Sequence, residues 1–276
     1  MDRQVSLSWQ GTGFTDIGLA RQTNQDAFVV DNDLGLWIVA DGMGGHAGGS
    51  TASQLAVKAV TDHIVSSVVS SPGFRNRSDH VMELLCSAVA AADSLIRATA
   101  DTTPDLKGMG TTIVIGLFCP GPNPSMALAH VGDSRAYLIR ARCISALTTD
   151  HSFVQRLVSE GRISLDAART HPQQNVLLRA LGVEDQLPPD ITIHPLQPND
   201  IVMLCTDGLT KMLEEQDILD YTLTFQQSPE EMCRQLIDAA NARGGKDNTT
   251  VIVIAPTEQT ATHHKTQNEP PAGVFP

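Results

Sequence analysis

The stretch LWIVADGMGGHAGG, Leu36 to Gly49, decides how this chain folds. Its opening run is apolar and reads as a core strand, which ends on the carboxylate of Asp41 and then loosens into glycine. A carboxylate at the end of a buried strand needs a partner. Three further aspartates stand in the same relation to apolar runs: Asp133 in the turn VGDSR, Asp207 after IVMLCT, and Asp247 before NTTVIVI. If those strand ends meet on one rim, four carboxylates converge. Two unit charges about 5 Å apart repel by roughly 3 kcal/mol at an effective dielectric near 20, which is a large part of a typical stability of about 5 to 15 kcal/mol. The pattern therefore calls for a cation among them.

Working outward from Asp41, short β-rich runs appear at Ala27 to Val30, Leu36 to Ala40, Thr111 to Phe118, Met126 to Val131, Ala136 to Arg140, Ile201 to Cys205 and Thr249 to Ile254. Between the second and third, Ala52, Leu55, Ala56, Ala59, Val60 and Ile64 recur at helical spacing, as do Val81, Leu84, Leu85, Ala88, Leu95 and Ile96. A third helix is announced by SPEE at Ser228, where serine can cap, proline suits the first turn and Glu231 can return the capping bond. Strands that pair as local hairpins (VVDNDLGLWIV and MALAHVGDSRAYLIR) and helices that come in groups favour an α+β layering with antiparallel sheets. Residues 150–190 interrupt the strands with short polar helices and read as a flap beside the site. Residues 1–255 read as one domain, and the composition of residues 256–276 predicts a disordered tail.

Composition limits the partners. Thirty-one acidic residues against 19 basic give a net charge of -12, which repels nucleic acid and anionic lipid. No apolar run approaches the roughly 18 residues of a membrane span, and MDRQVSLSWQ has no apolar signal core, so the expectation is a cytoplasmic chain without membrane contact. The five cysteines form no C-x-x-C pair and read as free, mostly buried thiols.

Carboxylates with no Cys or His cluster select Mg²⁺ or Mn²⁺ before Zn²⁺. Gly42 can let a backbone carbonyl approach an ion, and Asp41 can bridge two. A metal pair about 3.5 to 4 Å apart can share a hydroxide and hold both oxygens of an in-line phosphoryl displacement. Aspartate beside glycine is also an ordinary turn former; the joint placement of four, with Arg21 and His46 nearby in sequence, favours a site.

The ordered pieces DIGLARQTNQDA (Asp16 to Ala27), VADGMGGHAGG (Val39 to Gly49), GMGTT (Gly108 to Thr112), HVGDSRAYLIR (His130 to Arg140), LTTDHSFVQRLVSEGRIS (Leu147 to Ser164), CTDGLT (Cys205 to Thr210) and KDNTTVIVI (Lys246 to Ile254) resemble the metal-dependent protein phosphatases of the type 2C class, in their bacterial serine/threonine branch. The resemblance implies a four-layer α-β-β-α sandwich of two antiparallel sheets flanked by helices, with a metal cleft at one end. It implies two Mn²⁺ or Mg²⁺ ions held by Asp41, the Gly42 carbonyl, Asp207 and Asp247, and a third ion at Asp133. It also implies that Arg21 meets the substrate phosphate and that His46 is the general acid. Many members read N-E-D where this chain has Asn24-Gln25-Asp26, so Gln25 and Asp26 are outer residues of the site and the second ion loses a charge. The implied activity is hydrolysis of phosphoserine and phosphothreonine in the protein substrates of a serine/threonine kinase, by a monomer.

Other readings fit less well. There is no cysteine-arginine phosphatase loop and no G-K-[ST] phosphate loop, and DNDLG (Asp31 to Gly35) reads as a hairpin turn rather than a calcium loop or a phosphorylated aspartate motif. The long flap-like stretch favours the general serine/threonine branch over a related phosphatase of an anti-sigma-pathway regulator, and a catalytically silent phosphoprotein-binding relative would have lost a metal aspartate. His130 and His194 read as structural histidines, His263 and His264 as part of a solvated tail, and EEQD after Leu213 as a helix start.

Overall fold

The computed structural model describes residues 6–45, 47–70, 78–183 and 188–259. Eleven strands are assigned among them: β1 (Ser6–Asp16), β2 (Asp26–Asp31), β3 (Leu36–Met43), β4 (Gly110–Thr111), β5 (Ile113–Cys119), β6 (Ser125–Val131), β7 (Arg135–Arg140), β8 (Cys143–Ala146), β9 (Asp190–Pro195), β10 (Ile201–Cys205) and β11 (Thr249–Gln259). The helices are α1 (Gly48–Ser70), α2 (Ser78–Thr102), α3 (Phe153–Ser159), α4 (Leu165–Arg169), α5 (Asp207–Thr210), α6 (Glu215–Thr224) and α7 (Pro229–Ala242). One sheet has the order β1-β11-β10-β7-β8; the other runs β2-β3-β5-β6-β9, with β4 paired to β3. Both are antiparallel.

Three apolar layers hold the stack together. Trp9, Trp37, Val114, Leu128, Val202 and Ile254 fill the space between the sheets. The outer face of the β3 sheet packs on α1 and α2 through Ile38, Ile115, Ala56, Ile64, Leu85 and Ile96. The other sheet packs on α6 and α7 through Met203, Val253, Ile218, Leu236 and Ile237. The order is α-β-β-α, as expected. Each fully buried Leu or Ile contributes roughly 1.5 to 3 kcal/mol, so the central strands need apolar residues on both faces and read as continuous apolar runs.

The local expectations fare unevenly. Ser228 caps α7 by accepting the Glu231 backbone N–H at 3.4 Å, but the Glu231 carboxylate accepts from the Gln235 amide at 2.8 Å. EEQD does begin a helix, α6, with a capping box between Glu214 and Asp217. Leu95 is 41% exposed because it falls off the stripe drawn by Val81, Leu85, Ala88, Ala92 and Ile96. None of the five cysteines forms a disulfide; Cys119, Cys205 and Cys233 are buried, Cys86 is partly so and Cys143 is exposed on β8.

Two expectations are corrected. The sequence MALAHVGDSRAYLIR is not a hairpin: β6 pairs with β5 and β9, so both its edges are taken, and β7 pairs with β10 and β8 in the opposite sheet. The chain therefore crosses between sheets at Gly132-Asp133-Ser134. The domain also runs past residue 255, because β11 pairs with β1 as far as Ser6 opposite Gln259 and backbone hydrogen bonds need no apolar side chains. Residues 260–276, with His263 and His264, lie outside the described residues.

The strand β1 is absent from the sequence reading because Gly11 and Gly13 break its alternation. A Cβ on Gly11 would overlap the Trp37 indole. The Gly11 N–H donates to Asn32 Oδ1 at 2.7 Å, the Gly11 carbonyl accepts from Asn32 Nδ2 at 3.1 Å, and Trp37 Nε1 donates to the same Oδ1 at 3.1 Å. Asn32 sits in the DNDLG turn, which joins β2 to β3 as expected, and so ties the edge of one sheet to the other. Gly11→Ala should lower stability by about 1 to 3 kcal/mol through overpacking, read as a lower urea midpoint. An unchanged midpoint would count against this packing.

Candidate metal centre

The aspartates gather where strand ends of both sheets meet. Asp26 and Asp41 are cross-strand partners on β2 and β3. Asp133 lies in the crossover between sheets, Asp207 begins α5 directly after β10, and Asp247 precedes β11. Asp133 and Asp207 are buried, whereas Asp41 and Asp247 keep some contact with solvent. The backbone at Asp41 is fixed by Thr112, between β4 and β5: Thr112 donates its N–H to the Asp41 carbonyl at 2.9 Å, and the Asp41 N–H donates to Thr112 Oγ1 at 3.0 Å. Ser134 shares the Thr112 hydroxyl at 2.7 Å, which connects the segments that carry Asp41 and Asp133.

Burial and mutual repulsion act together on these groups. Burial raises the Asp41 carboxyl well above the usual carboxylate range, and Asp207, Asp26, Asp133 and Asp247 add to the effect by repulsion. Asp26 is pushed up to about 7, mainly by burial, although Thr250 and Thr206 hydroxyls donate to its Oδ2 at 2.6 and 2.8 Å. Asp133 is pushed up to about 8 by burial and by Asp207. Asp207 is raised by burial, which the Lys211 ammonium only partly offsets. The Asp207 Oδ1 and Asp26 Oδ1 atoms are buried without a hydrogen-bond partner. Orphaned carboxyl oxygens in a set of raised acids, with no sulfur or imidazole among them, fit a hard divalent cation.

Gly42 sits in a tight backbone cradle beside Asp41. A Cβ there would overlap the Gly49 carbonyl, and its N–H donates to the Gln25 carbonyl at 3.1 Å. Gln25 reaches the same loop, with Nε2 3.5 Å from the Gly44 carbonyl, and its backbone N–H donates to Asn248 Oδ1 at 2.8 Å. Arg21 is half exposed at the rim and donates from its NH2 group to Asp247 Oδ2 at 2.8 Å. Of the expected site, Arg21, Asp26, Asp41, Asp133, Asp207 and Asp247 come together, with Gly42 and Gln25 beside them. His46 lies outside the described residues.

Several residues of the site are missing from the sequence reading. Lys211 ion-pairs with Asp207 and stands 3.8 Å from Asp247 Oδ2. Asn248 donates from Nδ2 to the Ile17 and Thr23 carbonyls at 2.9 and 3.0 Å, clamping the loop that carries Arg21. Arg135 grips Asp150 with two bonds of 2.7 Å beside Asp133. Lys211 had a usable signal, since a helix starting at Asp207 puts position 211 on the same face. Among the described residues no three acidic, histidine or cysteine side chains close into a ready ligand shell. Two carboxylates of the cluster hold Arg21 and Lys211 instead.

The 150–190 segment borders this centre. A cavity of about 400 Å³ opens between α3, α4 and α5, lined by Asp133, Asp207 and Lys211 on one side and by Ser152, Leu165 and Arg169 on the other. The segment's base is pinned by a backbone bridge between Ser152 and Leu177 and by Arg179, which donates to Asp190 Oδ1 at 2.7 Å. His130 is buried, stacked on His151 with ring centroids 4.5 Å apart, and burial pushes it down to about 3. Neither His130 nor His194, whose Nε2 is 2.8 Å from the Thr192 hydroxyl, belongs to the cluster.

With this geometry in place, the comparisons define the class. Residues 20–243 match the protein phosphatase 2C family, and the chain belongs to that family. It is 36% identical over 243 residues to the serine/threonine phosphatase stp of Listeria welshimeri, covering 87% of this chain and 93% of that protein. It is 38% identical over 252 residues to the serine/threonine protein phosphatase PstP of Mycobacterium tuberculosis, covering 91% of this chain and 45% of that longer protein. The crystal structure of the catalytic domain of PstP in complex with two manganese ions has a TM-score of 0.78 and 35% identity, over 92% of this chain and all of the other.

Carboxyls raised by burial bind protons more tightly in the folded chain than in the unfolded one, so stability falls as pH rises through their folded values. With Asp26 near 7 and Asp133 near 8, the metal-free protein should lose stability between about pH 6.5 and about pH 8, above the range in which buried histidines act oppositely. Scanning calorimetry in chelator should show the melting temperature falling by several degrees, at roughly 2 to 4 °C per kcal/mol. Saturating Mn²⁺ should remove the fall. A rising melting temperature in chelator would contradict the cluster.

Proposed function

We propose that this chain is a metal-dependent serine/threonine protein phosphatase, which hydrolyses phosphoserine and phosphothreonine in protein substrates. The observation that carries the reading is the meeting of Asp41, Asp133, Asp207 and Asp247 at one rim, with raised carboxyls and orphaned oxygens, in a chain of the protein phosphatase 2C family. Asp41, the Gly42 carbonyl, Asp207 and Asp247 would hold two divalent ions, and Asp133 would help to hold a third. Bound there, such ions lower the pKa of water and neutralise charge that develops on a transferring phosphoryl group.

The chain's own residues supply the rest. Arg21 stands at the open rim, where its planar fork can leave Asp247 and take two phosphate oxygens. Asn248 holds the Arg21 loop against β11, so the guanidinium is delivered from a fixed base. The Asp26 carboxyl, gripped by Thr206 and Thr250, stiffens the back of the cluster. Gln25 stands beside the Gly42 loop as a neutral amide, which lowers affinity for the second ion relative to a glutamate. His46, four positions after Gly42 in the sequence, would protonate the leaving seryl or threonyl oxygen. The segment of residues 150–190 forms one wall of the cavity and shapes the choice of phosphopeptide.

Mn²⁺ or Mg²⁺ serves as the ion, the opposing enzyme is a serine/threonine kinase, and the chain acts as a monomer in cytoplasmic signalling. The net charge of -12 supports the absence of nucleic-acid and anionic-membrane partners. Among the described residues no helix is long and apolar enough to cross a membrane. No observation favours a catalytically silent binding module, since every metal aspartate is present.

Phosphothreonine peptide hydrolysis should depend on added Mn²⁺ and stop with chelator. Asp41→Asn and Asp247→Asn should each lower kcat/KM by at least about a hundredfold, in line with losing a metal ligand's support. Arg21→Ala should mainly raise KM. Hydrolysis that survives chelation would overturn the mechanism.

A further inference from the structure

We propose that the Lys211 ammonium is a resident counter-ion of the carboxylate cluster, which a divalent ion must displace before Asp207 and Asp247 can ligate it. The inference rests on the metal-dependent reading above but concerns a residue to which that reading gives no role. Lys211 follows α5 and lies four residues beyond Asp207, whose carbonyl accepts the Lys211 N–H at 2.8 Å. Its side chain turns back along the helix, and Nζ ion-pairs with Asp207 Oδ2 while standing 3.8 Å from Asp247 Oδ2. A single ammonium thus touches one proposed ligand of the first ion and faces another. Arg21 occupies the remaining side of Asp247 Oδ2.

A monovalent charge on a flexible stem is a weaker partner for two carboxylates than a divalent ion, yet it offsets part of their repulsion when no ion is bound. It also leaves Asp207 Oδ1 without a partner, so the neutralisation is incomplete. The ammonium has somewhere to go. Lys211 lines the cavity of about 400 Å³ together with Glu215, whose exposed carboxylate can receive it once it leaves Asp207. Displacement therefore trades one acidic partner for another inside the same cavity. Lys211 acts on metal affinity and on the stability of the metal-free chain, without touching substrate.

Isothermal titration of the chelator-stripped full chain with MnCl₂ tests this. In Lys211→Met the Mn²⁺ dissociation constant should fall by roughly two- to fivefold, because an ion pair of partial exposure no longer has to be broken. The melting temperature of the stripped variant should fall, whereas that of the Mn²⁺-saturated variant should match the parent. Lys211→Arg, which keeps the charge, should retain the parent's affinity. If the methionine variant does not fold, Lys211→Gln gives the same reading with a polar end and no charge. Unchanged or weaker Mn²⁺ binding in the uncharged variants would overturn the counter-ion role while leaving the phosphatase reading intact. A parent chain that binds no Mn²⁺ would overturn both.

Discussion

Repulsion among carboxylates that the fold buries at one rim is the constraint on which the rest of this structure depends. A sandwich of two sheets could close its core with apolar residues alone, yet here Asp26, Asp41, Asp133 and Asp207 sit where protein removes water from them, and burial together with proximity raises all four. Such an arrangement costs stability unless cations relieve it. The neighbouring architecture is organised around that cost. Thr206 and Thr250 donate to Asp26, Asn248 donates its backbone N–H to Asp247, and Arg21 and Lys211 supply charge.

The crossing of the chain between sheets explains why the site forms where it does. Were β6 and β7 a hairpin, Asp133 would mark the tip of one sheet. Because they belong to opposite sheets, the turn spans the end of the sandwich and brings Asp133 near Asp207. The same end carries Asp41 at the close of β3 and Asp247 at the entry to β11, so the cleft is built from both sheets at once. Relative motion of the two layers would change the spacing of the carboxylates. The Thr112–Ser134 hydroxyl contact and the Asp26 contacts to Thr206 and Thr250 tie one sheet to the other against such motion.

Much of this was legible in the residues, for physical reasons. Central strands such as β3, β5 and β10 are buried on both faces and leave unbroken apolar runs, and the four strand-end aspartates are visible beside them. Less was legible at the edges. The glycines of β1 answer Trp37 and Phe28 across the sandwich, which no local pattern encodes. The strands β8 and β9 are short or half exposed and carry little apolar signal. The β6–β7 error came from assuming that consecutive strands pair, when both edges of β6 were already taken. Lys211 was overlooked because a lone lysine after the DGLT stretch reads as solvated surface until the helix that begins at Asp207 is known.

The central claim is that these acidic side chains form one pocket whose charge is relieved by divalent ions. Anomalous diffraction at the manganese edge from crystals grown with MnCl₂ tests it most directly. The account predicts manganese peaks among the carboxylates of Asp41, Asp207 and Asp247, with the Lys211 ammonium moved off Asp207. Well-ordered crystals in saturating manganese that show no peak at those carboxylates would contradict it.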